Sequence, residues 1–73
     1  MPKLLSFKPR DIEKILLENE FILKRQSGSH RVYYNQKTDK TAVVPFHSKD
    51  LPSGTVRSII KHSGLDNTKF LKK

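Results

Sequence analysis

One histidine, His30, lies among small and cationic residues, a composition suited to chemistry on a phosphate group. An imidazole exchanges a proton near neutral pH, so His30 can act there as a base or as an acid. The flanking cations are placed to hold phosphate oxygens: Lys24, Arg25 and Arg31. The stretch therefore predicts a site that binds a phosphate ester and moves a proton beside it.

Gly28 and Ser29, just before His30, fit the same chemistry. Glycine lets backbone come close to a ligand, and the serine hydroxyl can donate to a phosphate oxygen. RNA cleavage needs little more, because the substrate brings its own nucleophile, the 2′-hydroxyl, and requires a base and nearby cations. His30 is therefore a candidate catalytic residue for RNA cleavage. The alternative is a surface histidine without a catalytic role.

The other two histidines are weaker candidates. His47 follows the third predicted strand, where it can approach a site at the strand ends, and its alternative is a loop histidine with no role. His62 suits the carboxyl end of a helix, where positive charge is favourable. The chain has no cysteine, and its histidines lack the helical His–Glu spacing of a zinc site, so we expect no metal and no cofactor.

Charge and length restrict the classes of partner. The chain has 73 residues, with 15 Lys and Arg against 7 Asp and Glu, for a formal net charge of +8. Such a balance favours nucleic acid or an acidic protein as partner. The length predicts a single domain spanning residues 1–73. Without cysteines, a membrane-length apolar run or a signal peptide, the expected location is the cytoplasm.

Hydrophobic spacing predicts a helix, three strands and a second helix. The first helix is expected over residues 9–19, with Asn19 as its left-handed terminus. The second is expected to begin near Ser53 and end at Gly64, followed by a short turn that packs Phe70 back. The strands are expected over residues 21–26, 30–34 and 41–44. Short loops favour an antiparallel meander, with both helices on one face and the other face open.

Strand alternation raises a question about His30. It shares a sheet face with Val32 and Tyr34, whereas Arg31 and Tyr33 share the other. If Val32 faces the core, His30 has to lie at the rim of the sheet. Both tyrosines are candidates for stacking bases, and at least one of them is expected in the core.

Residues 26–30, Gln-Ser-Gly-Ser-His, resemble the central signature of the HicA family of toxins from bacterial toxin–antitoxin pairs. Other stretches match in the same order, so the resemblance extends from about Lys8 to Leu65. One departure is Glu20, where the family commonly has glycine. The further matching stretches are residues 8–12, 43–47 and 51–61.

The resemblance implies an α+β fold like the double-stranded RNA-binding domain. It also implies an endoribonuclease that cleaves messenger RNA and arrests growth, with His30 at the position of the family's catalytic histidine. The implied partner is a HicB-type antitoxin, often acidic, which suits a basic chain. One alternative is a non-catalytic RNA-binding module of the same fold, which binds duplex by shape and forms no product. A DNA-binding regulator is less favoured, because no helix-turn-helix pattern is present.

Overall fold

The computed structural model describes residues 7–46 and 50–70, and there it confirms the predicted order of elements. The three strands form an antiparallel sheet in the order β1-β2-β3. The fold is thus the expected α+β class, like the double-stranded RNA-binding domain. Its elements are α1 (Pro9–Glu18), β1 (Ile22–Ser27), β2 (His30–Asn35), β3 (Lys40–Pro45), α2 (Ser53–Ser63) and a 3₁₀ turn (Asn67–Phe70).

Helix α1 begins at Pro9, where the missing N–H of proline costs no helical hydrogen bond. The carboxylate of Asp11 accepts a hydrogen bond of 2.9 Å from the backbone N–H of Lys8. Ile12 and Leu16 are fully buried beneath the helix. The amphipathic spacing predicted from the sequence therefore corresponds to the buried stripe of α1.

The predicted end of α1 was wrong by one residue. The helix stops at Glu18, and Asn19 has φ −114°, outside the left-handed region. The left-handed residue is Glu20, with φ +73°. This conformation turns the chain back, so that Phe21 donates its N–H to the carbonyl of Leu16 at 3.0 Å and its side chain is buried.

Glycine at residue 20 is expected to stabilise the fold. A non-glycine residue in the left-handed region costs about 1–2 kcal/mol, whereas glycine adopts it freely. The ion pair lost with the carboxylate, 2.6 Å to Lys37, is solvent-exposed and contributes little. We expect Glu20→Gly to raise the free energy of unfolding by about 0.5–1 kcal/mol, measured by urea denaturation.

Lys14→Gly provides the matched control for Glu20→Gly, because Lys14 is exposed inside α1. There glycine is expected to lower the free energy of unfolding by about 1 kcal/mol. Equal losses in both variants would contradict the assignment of backbone strain to Glu20.

The strands differ from their predicted bounds by one residue at several ends. β1 begins at Ile22, because Phe21 leaves the ladder to enter the core. β2 and β3 are longer than predicted, so that Pro45 lies opposite His30. Gly28 and Ser29 form a two-residue hairpin loop between Ser27 and His30. Gly28 has φ +59°, and type II′ hairpin turns require glycine at this first loop position.

The core lies between the two helices and one face of the sheet. Tyr33, Ala42 and Val44 point toward the helices and are fully buried. α2 adds Val56 and Ile59, and Phe70 packs back on the core as predicted. None of the helices in the described residues has the length and apolar character of a membrane span.

The opposite side of the sheet, which we call the open face, is not covered by either helix. Val32 belongs to it and is half-buried, so the condition that would have forced His30 to the rim does not arise. Tyr33 is the core tyrosine, and Tyr34 lies on the open face. The pairing of the strands assigns the following residues to this face: Ile22, Arg25, Ser27, His30, Val32, Tyr34, Thr41, Val43 and Pro45.

Candidate active site

His30 lies on the middle strand of the open face, at the tip of the first hairpin. It is paired with Ser27 on β1 and with Pro45 on β3, and its side chain is exposed. The backbone N–H of Phe46 donates to the carbonyl of Ser29 at 2.5 Å, which joins the hairpin tip to the end of β3. The backbone of His30 is therefore held on both sides, while its imidazole remains accessible to a ligand.

A β-bulge in β1 places two consecutive cations on the open face. The register of β1 shifts between Leu23 and Arg25, so that Arg25 lies opposite Val32. The ammonium group of Lys24 is 4.7 Å from the ring centroid of Tyr34, which also belongs to the open face. Regular alternation from Ile22 would have directed Lys24 to the open face and Arg25 to the helix side. The bulge re-aims the chain so that Arg25 lies on the open face as well.

Several predicted site residues therefore come together near His30. Arg25 is its diagonal cross-strand neighbour, a relation that places the two about 7–8 Å apart. Gly28 and Ser29 form the adjacent loop, where the Gln26 side-chain amide donates to the carbonyl of Gly28 at 3.3 Å. Lys24 lies further along the same face, beside Tyr34.

Another predicted site residue is not brought to this face. Arg31 points to the helix side, where its guanidinium lies 2.9 Å from the carboxylate of Glu13 and 4.0 Å from the ring centroid of Phe46. The Tyr33 hydroxyl, together with Glu13, raises the pKa of Arg31, so this guanidinium stays charged. His47 lies outside the described residues.

Glu13 links α1 to the strand that carries His30, and sequence reasoning missed this role. Its Oε2 accepts hydrogen bonds from the Tyr33 hydroxyl at 2.5 Å and from Arg31 at 2.9 Å. Burial, and then the hydrogen bond to Glu13, raise the pKa of Tyr33 well above its ordinary value, so the hydroxyl remains a donor. The only sequence signal was an acidic residue beside the buried stripe of α1.

Removal of Glu13 is expected to destabilise the fold. Glu13→Ala leaves the buried Tyr33 hydroxyl without its acceptor, a loss of about 1–3 kcal/mol in the free energy of unfolding. Tyr33→Phe removes the hydroxyl itself. Glu13→Ala should therefore lower the free energy of unfolding much less in the Tyr33→Phe background than in the wild-type protein. Urea denaturation of the four proteins measures this coupling, and strictly additive losses would show that the bond contributes nothing.

The described residues include no cluster of three or more His, Asp or Glu side chains arranged to hold a metal ion. The polar residues that the strand pairing and the hairpin place beside His30 are Ser27, Ser29 and Arg25. A serine hydroxyl and a guanidinium are groups able to hydrogen-bond a phosphate oxygen.

The fold and this site define a class: basic α+β proteins like the double-stranded RNA-binding domain that present a histidine on the open face of the sheet. The sequence matches the family model described as "HicA toxin of bacterial toxin-antitoxin" over residues 9–65, most of its length. The chain therefore belongs to the HicA toxin family, as its resemblance indicated, and a cognate antitoxin is its partner. No curated protein matches it.

Proposed function

We propose that this toxin is a metal-independent endoribonuclease that cleaves messenger RNA, with His30 as its catalytic residue. The observation that carries the proposal is the exposed imidazole of His30 on a sheet face that also presents Lys24 and Arg25. Membership in a toxin family supports a growth-arresting role, and cleavage of messenger RNA would stop translation.

The reaction needs two proton transfers and stabilisation of charge on phosphorus. The 2′-hydroxyl loses its proton as its oxygen attacks the adjacent phosphorus, and the 5′-oxygen gains a proton as its bond to phosphorus breaks. His30 performs at least one of these transfers, because an imidazole is both a competent base and a competent acid near neutral pH. Its exposed position leaves room for the ribose and the phosphate together.

The surrounding residues supply binding and charge. Arg25, diagonal to His30, is placed to pair with the phosphate that gains charge in the transition state. Ser29 offers a hydroxyl, and Gly28 carries no side chain that would block a nucleotide at the loop, where no atom lies within 4 Å of its missing Cβ. Lys24 would neutralise a neighbouring phosphate. His47 remains a proposed accessory residue.

We propose a HicB-type antitoxin as the partner that inhibits this ribonuclease activity. An inhibitor that covers the open face would exclude RNA from His30. The net charge of +8 favours an acidic inhibitor, because complementary charge accelerates association and selects the partner.

His30→Ala is the direct test of the proposed activity. The variant should fold normally, since the side chain is exposed, and should cleave single-stranded RNA about 10²–10⁴-fold more slowly. The assay is run in excess EDTA, with product sizes read on a gel. A substrate with 2′-deoxyribose throughout should resist cleavage by the wild-type protein.

His62→Ala is the matched control for His30→Ala. His62 is exposed in the last turn of α2, where it borders a recess beside Val43 of β3, and it is not part of the hairpin that carries His30, so its loss should leave the rate unchanged. Equal rates for His30→Ala and the wild-type protein would rule out His30 as the catalytic residue. Loss of wild-type activity in EDTA would contradict metal independence.

A second candidate function, a non-catalytic RNA-binding module, is favoured by the fold and by the charge of +8. Proteins of that kind track phosphates and 2′-hydroxyls of a duplex by shape. This function predicts salt-sensitive binding to intact duplex RNA and no product with either the wild-type protein or His30→Ala.

A further inference from the structure

The open face carries a second feature at the end of β2 away from His30. Tyr34 lies four residues along β2, about 13 Å from His30 at the rise of an extended strand. Its cross-strand partner Ile22 is 52% exposed, a high value for an isoleucine. Both residues border a recess of about 230 Å³, which Gln36 and Lys37 also line.

We propose that Tyr34 and this recess bind an unpaired nucleobase of the RNA substrate, an inference that rests on the proposed ribonuclease function. The tyrosine ring offers a surface for stacking, and Ile22 provides apolar contact beside it. The side-chain amide of Gln36 carries both a donor and acceptor and can pair with the edge of a base. The ligand is thus a base several nucleotides from the cleaved bond.

The ring of Tyr34 is held in place before any ligand arrives. Its hydroxyl donates to the carboxylate of Asp39 at 2.7 Å, within the loop that joins β2 to β3. This hydrogen bond raises the pKa of the hydroxyl, which therefore stays protonated. A ring fixed at one end loses little further freedom on binding, which favours stacking.

Lys24 connects this subsite to the catalytic histidine. Its ammonium lies over the Tyr34 ring, 4.7 Å from the centroid, and the side chain is exposed. A base that stacks on the ring can displace this ammonium toward the phosphate of the same nucleotide. Arg25 then lies between Lys24 and His30, so a single strand that crosses the open face meets cations along its path.

The charge of the face favours RNA as the occupant. Among the described strand residues that the pairing and the bulge place on the open face, none is acidic. The carboxylate of Glu20, which also lines the recess, is paired with Lys37 at 2.6 Å, and that of Asp39 accepts from the Tyr34 hydroxyl. An aromatic ring beside cations is the combination that single-stranded nucleic acids bind, because bases stack while phosphates pair. A protein partner that used the same surface would require neither the recess nor the ring.

The test compares Tyr34→Leu, which removes the aromatic ring, with Tyr34→Phe, which retains it. Binding of a fluorescent single-stranded RNA is measured in the His30→Ala background, where the RNA stays intact. We expect Tyr34→Leu to weaken binding about 10-fold and Tyr34→Phe less than about 3-fold, from the typical worth of one stacked base. With His30 present, the loss should appear in KM for long RNA, while kcat is unchanged.

Short and abasic substrates make the test specific. A dinucleotide cannot span from His30 to Tyr34, so Tyr34→Leu should cleave it at the wild-type rate. In a long RNA, removal of the one base that stacks should weaken binding to the Tyr34-containing protein about 10-fold, and should weaken binding to Tyr34→Leu hardly at all. Circular dichroism confirms that both variants are folded.

Unchanged RNA binding in Tyr34→Leu would overturn the subsite. If the same variant binds the antitoxin more weakly, the surface is assigned to the protein partner. If the wild-type protein binds RNA but does not cleave it, the ribonuclease proposal fails, whereas the binding comparison still decides whether Tyr34 receives a base.

Discussion

Burial of one face of a three-stranded sheet beneath two helices is the constraint on which the rest of this structure depends. Tyr33, Ala42 and Val44 enter the core, and alternation then directs their strand neighbours outward. His30 is exposed for this reason. A slip of one residue in the register would exchange the two faces and turn the imidazole toward the helices. The burial of Tyr33 and the exposure of His30 therefore both follow from the same strand register.

Two local irregularities change which side chains this regular sheet presents beside His30. The bulge in β1 lets two adjacent residues, Lys24 and Arg25, lie on the same side of the sheet. The left-handed conformation of Gly28 allows a loop of only two residues beside His30. On the opposite side of the sheet, Arg31 pairs with Glu13 and packs on Phe46, which holds the same hairpin against α1.

The charge of the open face has consequences for both proposed partners. The net positive charge of the chain attracts the phosphate backbone at long range, and the same field would attract an acidic antitoxin. Competition for one surface is then sufficient for inhibition, without any change in the conformation of the toxin. Base stacking, by contrast, would act only on RNA, which separates recognition of the substrate from the attraction that both partners share.

The sequence by itself determined the order of elements, the end of α2 at Gly64 and a turn just before His30, and it made His30 the candidate catalytic residue, because periodicity, turn residues and side-chain chemistry are local properties. Tertiary structure alone decided the bulge at Lys24, the side of the sheet that Arg31 faces and the role of Glu13, since each depends on strand register or on a helix packed against it. The left-handed residue moved from Asn19 to Glu20 because burial of Phe21 outweighed local preference.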